Sequence, residues 1–128
     1  MRLTNNFYLK EFECHCGCDM PRNVMENVFK LSDTLQFLRN RTQNAIHINS
    51  AYRCESHNKS IGSNSTSQHV LGKAADITIG KMKPKATADL IERLMDEEVI
   101  LQGGLGRYNT FTHIDIRGTK ARWDNTKK

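Results

Sequence analysis

Hydrophobic positions fall into two helical stripes and several alternating runs. Val24, Val28, Leu31, Leu35 and Leu38 recur at spacings of four, three, four and three. That is one face of an amphipathic helix over about residues 23–40, with Pro21 just ahead of its start. A second helix is predicted from Pro84 to about Glu98, with Ala86, Leu90, Ile91, Leu94 and Met95 on its buried side. Residues 45–52 alternate, with Ile46 and Ile48 on one face and His47 and Asn49 on the other, the pattern of a half-buried strand. Ala74 to Ile79 reads as another strand. Phe111 to Ile116 alternates again, so that Phe111, His113 and Asp115 share a face.

Between these elements the polarity rises. Residues 7–18 look irregular and rich in turns. Residues 58–66 read as a polar loop on the rim of a site, a candidate to cover substrate. Gly103-Gly104-Leu105-Gly106 reads as a glycine turn before a strand; it completes no phosphate-binding fingerprint. Gly72-Lys73 fits a two-residue hairpin turn, which would set His69 directly opposite Asp76. The expected fold class is α+β: a small antiparallel sheet, helices packed on one face and the site on the other. With 128 residues, one domain is expected, with residues 1–20 as an irregular lead and 118–128 as a basic tail.

Composition narrows the function classes. Hydrophobic residues make up 38% of the chain, and no apolar run approaches the ~20 residues of a membrane span. Residues 1–7 lack the apolar core of a signal peptide, so the expectation is synthesis in the cytoplasm, with release by another system such as a viral lysis system. The net charge of +5 suits a polyanionic partner such as the bacterial cell wall. Nucleic acid is disfavoured, because no basic stripe interleaved with aromatics is present. Trp123 is expected to pin the tail to the domain rather than to stack on a sugar. Four cysteines, Cys14, Cys16, Cys18 and Cys54, leave three states open: a second, structural metal, a single disulfide, or reduced and partly buried thiols. His57 is either a further ligand at such a cysteine site or a hydrogen-bonding loop residue.

The chemistry concentrates in His69, Asp76 and the strand carrying His113 and Asp115. Two imidazoles and a carboxylate on one face suit zinc, and three protein ligands leave a fourth position for water. Ser50-Ala51-Tyr52-Arg53, Ser67-Gln68-His69-x-x-Gly72-x-Ala74-x-Asp76, Gly104-x-Gly106-x-Tyr108 and His113-x-Asp115-x-Arg117 together resemble the zinc D-alanyl-D-alanine carboxypeptidases and related phage and bacterial peptidoglycan peptidases. The likeness runs from Phe7 to about Arg117. The opening Phe12-x-Cys14-x-Cys16-Gly17-Cys18 is similar to short, phage-associated members.

The resemblance implies the fold shared by lysostaphin-type enzymes and the hedgehog signalling domain. It implies that His69, Asp76 and His113 bind one catalytic Zn2+, that Arg53 holds substrate near the scissile bond, and that Ser67 and Gln68 line the peptide cleft. Relatives place an acid or a histidine shortly before the last zinc ligand. Here those positions are Thr110, Phe111 and Thr112, so Asp115 is left either as general base or as the partner that orients a ligand imidazole. The expected activity is hydrolysis of peptidoglycan stem peptides by a monomeric, phage- or prophage-encoded metallopeptidase, of carboxypeptidase or endopeptidase type, acting at the cell wall. The alternative is a non-catalytic zinc protein of the same fold that binds peptide or cell wall.

Overall fold

The computed structural model describes residues 1–63 and 67–127. A 3-10 turn at Leu9–Phe12 precedes α1 (Arg22–Thr42), β1 (Ile46–Ser50), α2 (Glu55–Ser60), β2 (Ala74–Ile79), α3 (Pro84–Asp96), β3 (Gly104–Arg107), β4 (Thr112–Asp115) and β5 (Ala121–Asp124). The five strands form one sheet in the order β1-β2-β4-β3-β5. The fold class is α+β, as the periodicities require.

Strand alternation sorts the sheet into two faces. Ile46, Ile48, Ala75, Ile77, Ile79, Leu105 and Ile114 point into the core, where they join Val28, Leu31, Leu35 and Leu38 of α1 and Ile91, Leu94 and Met95 of α3. Asp76, His113 and Gly106 lie side by side on the opposite face, fixed by the pairings Asp76↔His113 and Gly106↔His113. The helices therefore pack one face and the polar cluster occupies the other. On α3, Ala86 is exposed and Thr87 and Ala88 are buried instead, a rotation of the buried stripe by one residue.

Four expectations are corrected. Gly72-Lys73 is not a hairpin turn. Residues 67–73 form a tight helical turn closed by Gly72 N–H to His69 O (3.2 Å) and Lys73 N–H to Gln68 O (3.1 Å), the paired bonds of a Schellman motif. Gly72 has φ +74°, which glycine adopts freely, and β2 pairs with β1 and β4 rather than with residues 67–71. The glycine segment is itself strand β3, because its two site-facing positions must carry no side chain. A Cβ on Gly104 would lie 2.2 Å from Asp115 Oδ2, and one on Gly106 2.4 Å from the Trp123 indole nitrogen.

The sheet is also mixed. β5 lies parallel to β3, so the stretch read as a basic tail contributes an edge strand held by Arg122 to Glu92 (2.6 Å) and to the Gly103 carbonyl. Finally, the polar loop begins as helix α2; its residues 64–66 lie outside the described residues.

Gly72 is packed closely against α1. An added Cβ would meet Val24 Cγ1 at 2.6 Å and the Val24 carbonyl at 2.9 Å. Gly72→Ala is expected to cost about 2–4 kcal/mol, from positive-φ strain plus overpacking, read as a lower urea midpoint with unchanged slope.

Candidate metal centre

A β-bulge in β1 starts the site. The register slips between Ile48 and Ser50, which sets Ser50 opposite Asp76 and redirects the chain out of the sheet. The segment that follows anchors its surroundings through the backbone. The Ala51 carbonyl accepts from His69 Nδ1 (2.7 Å), Tyr52 N–H donates to Phe12 O (3.0 Å), and Arg53 N–H donates to His69 O (3.1 Å). His69 is thus held to the end of β1 by two bonds. Because a carbonyl can only accept, His69 donates from Nδ1 and turns its Nε2 edge inward.

Asp76 faces that edge. Its Oδ1 lies 3.3 Å from His69 Nε2 and 3.2 Å from His113 Nδ1. Its Oδ2 accepts from Arg53 Nη2 (3.2 Å). Arg53 is buried and donates also to Ser50 Oγ, Asn58 Oδ1 and Ser63 Oγ. On the far side of His113, Nε2 donates to Asp115 Oδ2 (2.8 Å). Asp115 is completely buried and accepts further from Gly104 N–H (2.7 Å) and from Arg117 Nε and Nη2 (2.9 and 2.8 Å).

These contacts set the charge states. Burial alone would raise the pKa of Asp76, but hydrogen bonds from His113 and His69 outweigh it and hold the carboxyl well below the usual range. Asp115 behaves alike, with burial opposed by His113, Arg117 and Gly104. For His113, burial works against the charged form, yet Asp115 and Asp76 together raise its pKa.

The donor set fits a metal ion. Tetrahedral zinc with nitrogen and oxygen ligands at about 2.0–2.1 Å spaces them about 3.3 Å apart. The observed separations to Asp76 Oδ1 are 3.3 and 3.2 Å. Each imidazole presents one nitrogen inward while the other is tied to a carbonyl or carboxylate, the arrangement that orients metal-binding histidines.

The cluster floors a cleft of about 480 Å³, lined also by Arg53, Ser67, Gln68, Tyr108, Phe111, Arg117 and Trp123. A larger hollow of about 760 Å³ between α1 and the segment after α3 gathers no such ligand set, so size does not mark the site here.

The sequence model of Peptidase M15 matches residues 3–115, most of the chain and all three candidate ligands. The chain belongs to the Peptidase M15 family. M15 proteins are zinc-dependent peptidases, and this M15 chain carries metallopeptidase architecture. Among curated proteins, none matches it.

The structure brings most of the residues named from sequence to this M15 cleft and leaves Asp115 buried behind it. His69, Asp76 and His113 converge, Arg53 bonds Asp76, Ser67 and Gln68 line one wall, and Asp115 sits behind His113. The route differs from expectation. His69 arrives on a tight turn, and the partner directly across the sheet from Asp76 is His113.

The sequence reading missed the aromatic wall. Tyr108 stacks on Phe111 (centroids 4.3 Å apart) and accepts from Trp123 Nε1 (2.9 Å). The Trp123 ring lies 4.8 Å from His113, so this residue walls the cleft as well as pinning its strand. Gly106 was the available signal: a strand glycine marks a close approach by another group. No helix among the described residues is long and apolar enough to cross a membrane.

Two outcomes are expected here. Arg117→Ala frees Asp115 from its guanidinium clamp and should weaken zinc binding at this centre about 10–100-fold, measured by competition with a chromophoric chelator. Because each imidazole must present a lone pair, affinity should also fall from about pH 8 to about pH 6, with proton release on binding seen by calorimetry in buffers of different ionisation heat.

Proposed function

We propose that this M15 chain hydrolyses peptide bonds in the stem peptides of bacterial peptidoglycan, with one Zn2+ held by His69, Asp76 and His113. The observation that carries the reading is the convergence of those three ligand atoms at the floor of a polar cleft. When bound, zinc supplies a water of lowered pKa and polarises the peptide carbonyl.

The protein's own groups do the rest. Arg53 is a fixed cation at the cleft wall, oriented by Ser50, Asn58, Ser63 and Asp76. It is suited to a substrate carboxylate or to the negative charge that develops on the carbonyl oxygen. Ser67 and Gln68 offer hydrogen bonds along the peptide, and the Tyr108–Phe111 stack gives it an apolar flank. Asp115 has the surroundings of a positioning residue rather than a general base. It is sealed from the cleft, and its oxygens are taken by His113, Arg117 and Gly104. Its task is to fix the His113 ring so that Nδ1 faces the metal.

The net charge of +5 favours adsorption to an anionic wall. We place the protein's action there, as the product of a phage or prophage, released by a lysis system and working as a monomer.

One observation favours a second reading. Among the described residues lining the cleft, Asp76 is the only carboxylate, and it is committed to Arg53 and the two imidazoles. Among the described residues of the cleft, no free acid stands ready to carry a proton to the leaving amine. A zinc protein that binds peptide without cleaving it would have this constitution.

Purified cell walls separate the readings. Hydrolysis should release D-alanine, for a carboxypeptidase, or new amino termini, for an endopeptidase, and a chelator should stop it. His69→Ala should lose both this ion and all turnover. An active variant lacking zinc would sink the proposal, and bound zinc with no cleavage would establish the binding role.

A further inference from the structure

A second cluster lies beyond the cleft. Cys14, Cys16, Cys18 and Cys54 bring their sulfur atoms within 4.8 Å of one another. Cys14 and Cys16 are 3.2 Å apart, Cys16 and Cys54 3.5 Å, and Cys14 and Cys54 3.8 Å. All four are free thiols, so the disulfide left open by the sequence is not formed.

The local backbone serves this convergence. Gly17 N–H closes a turn onto the Cys14 carbonyl (3.0 Å), and Gly17 adopts φ +83°, which lets the Cys-x-Cys-x-Cys run fold back on itself. Two backbone N–H groups point at sulfur: Cys54 N–H at Cys14 Sγ and His57 N–H at Cys54 Sγ, both 3.4 Å. Donors aimed at sulfur stabilise thiolates over thiols.

We propose that the four cysteines hold a structural zinc ion, separate from the one at His69, Asp76 and His113. Zinc–sulfur bonds of about 2.3 Å in a tetrahedron set sulfur atoms about 3.8 Å apart, the scale of this cluster, and a site with four protein ligands is closed to substrate. On binding, the thiols lose their protons to solvent and four zinc–sulfur bonds form, with no change of oxidation state. His57 contributes its backbone N–H only, and its ring packs edge-on to His15.

The ion would tie the N-terminal segment to the residue that follows Arg53. Tyr52 N–H to Phe12 O already joins the same two segments, so the clip would steady the turn from which Arg53 reaches Asp76.

Metal analysis of the intact chain and cobalt substitution test this. Wild type should hold two zinc ions per chain and, with cobalt, show the near-ultraviolet sulfur-to-cobalt charge-transfer band. His69→Ala should keep one ion and the band. Cys16→Ser, at an exposed side chain outside the core, should lose the sulfur-bound ion to a chelator that wild type withstands. If His69→Ala fails to fold, the band in wild type decides alone. A single ion that His69→Ala removes, with no sulfur band, overturns the proposal, as does an intact mass two hydrogens light. A single ion with the band, kept in His69→Ala, supports this site and counts against the catalytic one.

Discussion

Everything in the cleft leans on one carboxylate. Asp76 is nearly buried in the middle of a sheet, where an unpaired negative charge would be untenable. Its two oxygens are divided between a guanidinium and two imidazoles, and each partner is fixed by a different part of the chain. The bulge in β1 delivers Arg53, the Schellman turn delivers His69, and β4 delivers His113. The hydrophobic core on the other face makes those three deliveries mutually consistent. The register that buries Ala75, Ile77 and Ile114 is the register that sets Asp76 against His113.

Around this centre the polar groups form a chain with few loose ends. His113 connects Asp76 to Asp115, and Asp115 accepts in turn from Arg117 and the Gly104 amide. Arg117 in turn lies over the Trp123 ring, 5.7 Å from its centroid. Such connected buried networks rigidify a site, because each member's orientation is set by the next. The M15 cleft is therefore preorganised by hydrogen bonds on its sheet side and by aromatic packing at its rim.

Legibility in the sequence followed physical range. The stripes of α1 and α3 are local and periodic, and they were readable to within a few residues. Strand alternation told which residues share a face with His113. What local pattern could not carry was pairing: Gly72-Lys73 has hairpin chemistry, but β2 satisfies the hydrogen bonds of both its edges by pairing with β1 and β4 instead of folding back on a short turn. Nor could it show β3, whose glycines look like a break until Asp115 and the Trp123 indole are seen to fill their space. The cluster of His69, Asp76 and His113 was readable as a set because its residue types are restrictive, even though the path bringing His69 into it was not.

The parallel strand β5 has a consequence for how the molecule is assembled. Trp123 and the Arg122 bonds follow His69, Asp76 and His113 in chain order, after all three candidate ligands have been made. A chain interrupted before Ala121 would own the three ligands yet leave His113 without its indole wall and the edge of β3 bare. The aromatic wall of the cleft thus waits on the docking of the edge strand, which closes the sheet from a distant part of the chain.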